Sequence, residues 1–173
     1  RNYGAEVFHI VAKFINQNQG TWNEFNGFKS GGYNDRWQAV GKQIRASGGI
    51  ILQVDGDQYH IDPGPGSLVM AKEAGINLGA NTALFVSHNH INHCNDINAV
   101  IDAMTYGGFD KIGVLVANNT VINGSENHQP FLQKYYRDCL ERFIVLEEGG
   151  KVGINDVEIR AIKAKHSEPN AIG

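Results

Sequence analysis

The chain has 173 residues, long enough for one domain with a sizeable buried core. Its 42% hydrophobic and 19% charged residues are those of an ordinary globular protein. A formal net charge of -3 excludes a general pull toward nucleic acid or anionic membrane.

No apolar run approaches the length of a membrane span, and no signal-peptide pattern follows Arg1. The first residue is not Met, so the natural start is expected to be missing. Cys94 and Cys139 do not make a disulfide framework, and the expected compartment is the reducing cytoplasm.

Residues 7–15 are rich in β-branched and apolar side chains and predict an opening strand. Residues 17–32, rich in Gly, Asn and Gln, predict a long loop. Residues 49–54 predict a strand, Gly56-Asp57 a tight turn, and residues 58–61 the returning strand of a hairpin. The run Asp62-Pro63-Gly64-Pro65-Gly66 ends it sharply, since proline fixes its own φ and glycine permits positive φ. Ser67 then reads as the cap of a short helix through Ala74, stopped by Gly75.

Residues 83–86 form a continuous apolar run, as in a strand buried on both faces. Asp96 reads as the cap of a helix to about Tyr106, with Ile97, Val100, Ile101 and Met104 at helical spacing. Residues 112–117 predict another buried strand. Pro130 suits the first turn of a helix to about Arg142. Residues 143–146, 151–154 and 157–164 predict three more strands, turning at Gly149-Gly150 and Asn155-Asp156. Strands alternating with helices, with hairpins mixed in, imply an α/β fold of mixed sheets covered by helices.

Residues 87–96 read SHNHINHCND, which places His88, His90 and His93 just past a buried strand. On an extended backbone His88 and His90 point to the same side, and His93 follows after a turn. Neutral imidazole is a favoured ligand for zinc and related ions, so this spacing points to metal coordination rather than to a chance cluster on a polar loop.

This pattern resembles the metallo-β-lactamase fold superfamily of metal-dependent hydrolases, whose marker is H-x-H-x-D-H after a buried strand. Here it reads His88-Asn89-His90-Ile91-Asn92-His93. The family's strand ending in Asp before a glycine-rich turn is matched by Ile61-Asp62-Pro63-Gly64, and its later ligand histidine by His166 in AIKAKHSEPNAIG. The resemblance covers residues 45–173. It implies an αββα sandwich forming one domain over residues 1–173, with the C-terminal part missing, because the family's later bridging Asp and last His would follow. It implies that His88, His90 and His166 hold one metal and that His93 serves a second. It makes Asp62 a brace for the ligand loop. The cofactor would be one or two Zn²⁺ ions, with Mn²⁺ or Fe²⁺ as alternatives. The activity would be hydrolysis of a small-molecule ester or a phosphodiester by a metal-held hydroxide.

One departure falls on the catalytic position. Asn92 stands where the family has a carboxylate. An amide offers an oxygen to a metal but carries no charge and is no base. The second metal should bind more weakly, and a non-catalytic metal-binding or interaction module is the alternative function. His9, His60 and His128 read as structural or solvated, and Cys94 as buried. Ser167 and Glu168 are candidates to face substrate. The stretch from Trp22 to Trp37 is a weak candidate for nucleic acid, because Glu24 and Asp35 offset Lys29 and Arg36. A homo-oligomer is a further expectation.

Overall fold

A computed structural model describes residues 21–24, 49–54 and 56–173. The predicted strand at 7–15, His9, and most of the 17–32 loop and of the stretch from Trp22 to Trp37 lie outside the described residues. Within the predicted loop, residues 21–24 form a strand instead.

Eight strands are described. A mixed sheet runs in the order β1 (Thr21–Glu24), β2 (Ile50–Val54), β3 (Asp57–Ile61), β4 (Asn81–Val86), β5 (Val114–Ala117), β6 (Arg142–Val145). The first three are antiparallel neighbours, and β3 to β6 are parallel. A separate hairpin pairs β7 (Lys151–Ile154) with β8 (Val157–Arg160). The helices are α1 (Ser67–Glu73), α2 (Ile91–Cys94), α3 (Ile97–Met104), α4 (Asn119–Asn123) and α5 (Lys134–Cys139).

Both faces of the central strands β4 and β5 are covered, which explains their unbroken apolar runs. Leu84 and Val86 of β4, with Leu115 and Ala117 of β5, pack among Ala71, Ile97, Val100, Ile101, Met104 and Leu140 on the helical side. The alternate residues Ala83 and Val116 join Leu52, Tyr59, Ile154 and Ala161 on the other. The layers are therefore helices, sheet and second sheet. Alternation by twos along each strand sends successive side chains to opposite cores.

Several predicted boundaries shift for local reasons. Gly66, with φ 87°, occupies the cap position of α1, and Ser67 is the first helical residue. Asp96 does precede α3, but its carboxylate accepts from the Leu68 N–H at 3.1 Å and so caps the first turn of α1. The helix predicted from Pro130 begins only at Lys134. The N–H groups of Phe131 and Leu132 are already engaged by the Val121 carbonyl, at 3.0 and 3.1 Å. The last predicted strand stops at Arg160, because residues beyond it pair with the chain's own last residues. Ile162 and Gly173 exchange both backbone hydrogen bonds.

Candidate metal centre

The candidate site lies where the parallel strands β3 and β4 end. Asp62 follows β3 with φ 49°, a left-handed conformation that carboxylate and amide residues tolerate better than most. Its backbone N–H donates to the Phe85 carbonyl at 2.7 Å, which ties it to β4. Ser87 and His88 follow directly on β4, and the chain bends at Asn89. His90 is the cap of α2, and its carbonyl accepts from the N–H groups of His93 and Cys94, at 2.8 and 3.2 Å. This turn brings the His93 ring back against His88, with centroids 4.1 Å apart.

His166 arrives from far along the chain. Residues 162–173 fold back on themselves, with His166 near the tip, and the Ile172 N–H donates to the Ser87 carbonyl at 3.2 Å. The ring centroid of His88 lies 4.0 Å from that of His166, 4.1 Å from His93 and 4.8 Å from His90. His90 and His166 are 4.6 Å apart by the same measure. One nitrogen from each of His88, His90 and His166 lies within 4.8 Å of the others, so this group could hold a metal ion. His93 stands at the margin, 6.5 Å from His166 by ring centroid, and it is not one of the three.

A buried carboxylate organises these rings. Asp62 Oδ1 accepts from the Ser87 N–H at 2.7 Å; Oδ2 accepts from the Ser87 hydroxyl and from His93 Nδ1, both at 2.9 Å. Burial alone would raise its pKa. The hydrogen bonds and charge of His93, with those of Ser87, outweigh that and hold it below the usual carboxylate value.

The Ser87 hydroxyl has one proton, which goes to Asp62, so its oxygen accepts from His88 Nδ1 at 2.9 Å. That network assigns the ring proton of His88 to Nδ1 and leaves Nε2 a bare lone pair. Nε2 is buried and has no hydrogen-bond partner among the described residues. A buried nitrogen without a partner is costly, and a cation at the three histidines would supply one, so the residues fit a metal. Burial, and then the neighbouring His93 and His166, push the His88 pKa down to about 3. Burial and the other imidazoles also lower His166. Both rings are therefore neutral at physiological pH, as metal ligation needs.

The remaining sequence candidates sort by burial. Asn92 lies half-buried on α2, immediately before His93. Cys94 is fully buried, its thiol donates to the His90 carbonyl, and burial pushes its pKa up to about 12; it is packing, not a ligand. His60 is fully buried. His128 is exposed, with Nδ1 3.2 Å from the Ser125 hydroxyl. Glu168 is buried and turned into the protein, not toward solvent where a substrate would approach. Sequence reasoning missed Ser87, Asn118 and Thr120. Asn118 and Thr120 bond Glu168 across 50 and 48 residues, a separation at which a single sequence carries no signal.

No family model matches the sequence. An uncharacterised protein of Methanocaldococcus jannaschii is 33% identical over 138 residues, which cover 80% of this chain and 52% of the relative. The metallo-β-lactamase fold protein YhfI from Bacillus subtilis superposes with a TM-score of 0.61 at 15% identity, covering 88% of this chain and 55% of that one. The chain has the metallo-β-lactamase fold. A diphosphatase from the PhnP family shares it, with a TM-score of 0.59, 17% identity, and coverage of 89% of this chain and 60% of that one. The chain spans about half the length of the curated relative it matches. Among the described residues, no helix is long and apolar enough to cross a membrane.

Proposed function

We propose that the protein is a metal-dependent hydrolase acting on an ester or a phosphodiester. The observation that carries this reading is the approach of one nitrogen each from His88, His90 and His166 to within 4.8 Å of one another. A divalent cation there would supply Lewis acidity and a hydrolytic nucleophile near neutral pH. Zn²⁺ suits three imidazoles best, with Mn²⁺ or Fe²⁺ as alternatives.

The chain's own residues divide the remaining work. His88, His90 and His166 present the ring nitrogens that would hold the cation. Asp62 orients His93 directly and His88 through the Ser87 hydroxyl, so one carboxylate sets the tautomer of two rings. His93 would serve a second ion, where Asn92 offers an amide oxygen but no negative charge and no base. That substitution favours a second reading, a metal-binding module without turnover.

The test is a screen of the full-length protein against phosphodiesters, diphosphates and carboxylic esters with Zn²⁺ or Mn²⁺ added. Turnover that disappears in His90→Ala supports the hydrolase. Metal bound without turnover, even after Asn92→Asp, selects the second reading.

A further inference from the structure

From Lys165 to Asn170 every residue is exposed except one. The exception is Glu168, a carboxylate only 4% exposed. Apolar side chains are the usual means of fixing a loop, because burying a charge is unfavourable unless it is fully hydrogen-bonded. Here the bonding is extensive. Oε2 accepts from the Asn118 side-chain amide at 2.8 Å; Oε1 accepts from the Thr120 hydroxyl at 2.9 Å and from the Asn170 N–H at 3.2 Å.

The location of these donors gives the carboxylate its consequence. Asn118 and Thr120 follow directly on β5, whose last residue Ala117 is in register with Val86 at the end of β4. His88 leaves that same end of β4, one residue past Ser87. Asn170 shares the same partners, accepting from the Asn118 amide on its carbonyl at 2.9 Å and donating its own amide to the Thr120 hydroxyl at 3.1 Å, and the Ile172 N–H donates to the Ser87 carbonyl just past β4. The His166 segment is thus anchored at two neighbouring strand ends, by Glu168 and Asn170 past β5 and by Ile172 past β4, where the other histidines follow. The anchor nearer the ring is Glu168, whose backbone N–H also lies 3.4 Å from His166 Nδ1.

We propose that Glu168 is a positioning residue for His166: its buried carboxylate, bound by Asn118, Thr120 and Asn170, holds the segment so that the His166 ring meets those of His88 and His90. The inference rests on the metal reading above and extends it to a residue outside the ligand set.

Glu168→Gln tests it, because the amide keeps the shape and loses one acceptor. Asn118 cannot turn its amide to compensate, since its Oδ1 holds the Val121 N–H at 3.0 Å. Either Asn118 or the pair Thr120 and Asn170 then faces an –NH₂ group. Co²⁺ is titrated into the full-length chain and followed by its visible absorption. The expected result is binding roughly 10–100-fold weaker than in the unaltered protein, with an altered ligand-field band as His166 is displaced. Thr120→Val removes one donor and should show a smaller loss of the same sign; it decides the matter if Glu168→Gln does not fold. A purely structural role would lower the melting temperature and leave affinity and band unchanged, which would overturn the inference while the metal reading stands. Failure of the unaltered chain to bind Co²⁺ would overturn both.

Discussion

Replacing Asp62 by Asn isolates the part played by the central carboxylate. Asparagine tolerates the positive φ of this position, so the backbone has no reason to move. The amide oxygen can keep the Ser87 N–H, which puts –NH₂ where Oδ2 accepted from the Ser87 hydroxyl and from His93. Hydrogen bonds to a charged group contribute roughly 1.5–3 kcal/mol each, so losing two costs about 3 kcal/mol or more, less whatever Ser87 and His93 regain by accepting from the amide. A second effect follows from proton direction. An –NH₂ that donates to the Ser87 oxygen turns the hydroxyl toward His88 Nδ1. The His88 proton then moves to Nε2, the nitrogen needed for metal. Zinc affinity should fall by roughly 10–100-fold, the usual cost of losing an orienting partner. Urea unfolding of the metal-free protein measures the first effect, and competition titration with a zinc chelator measures the second. An Asp62→Asn protein that binds zinc as tightly as the unaltered one would refute the tautomer argument, even if it were less stable.

Three further outcomes are expected. Asn92→Asp restores a negative charge beside His93 and should raise the metal content per chain, as read by elemental analysis after dialysis. His166→Ala removes a proposed ligand from an exposed position, so the metal-free melting temperature should barely change while zinc affinity falls by more than the roughly 10–100-fold of an orienting residue. The third concerns pH. Burial pushes His60 down to about 3, so between pH 6.5 and 3 the unfolded chain takes up a proton that the folded chain refuses. Stability of the metal-free protein should therefore fall as pH drops through this window, by roughly 1.4 kcal/mol per unit from this one group. Urea midpoints at pH 7 and 5 that coincide in the native chain would contradict it.

Much of the site was legible because its signals are local. The spacing of His88, His90 and His93, and the Asp62-Pro63-Gly64 turn, lie within single short segments whose geometry follows from strand and turn rules. The both-faces-buried strand at residues 83–86 was legible for the same reason. What escaped was cooperation at a distance. Asp96 looked like the cap of its own helix because capping is a neighbour rule, yet a tertiary contact with Leu68 outcompeted it. Glu168 looked free to face substrate because nothing in its neighbourhood announces Asn118 and Thr120, which are delivered by the parallel pairing of β4 and β5. The helix predicted from Pro130 was too long because propensity ignores that Val121 already claims two of its N–H groups.

The histidines come from different layers. Three follow the end of β4, inside the six-stranded sheet, and His166 follows the β7–β8 hairpin stacked beneath it. Asn155 at that hairpin's turn grips both oxygens of Asp57 on β3, each at 2.9 Å, so the hairpin is pinned to the large sheet there as well. A cation shared by His88, His90 and His166 would act as a rivet between the two sheets. Its concentration would then govern resistance to unfolding: at about one hundred times the dissociation constant, mass action adds roughly 2.7 kcal/mol. Chelators should consequently loosen the β7–β8 layer, making its backbone amides exchange with solvent sooner than those of β4.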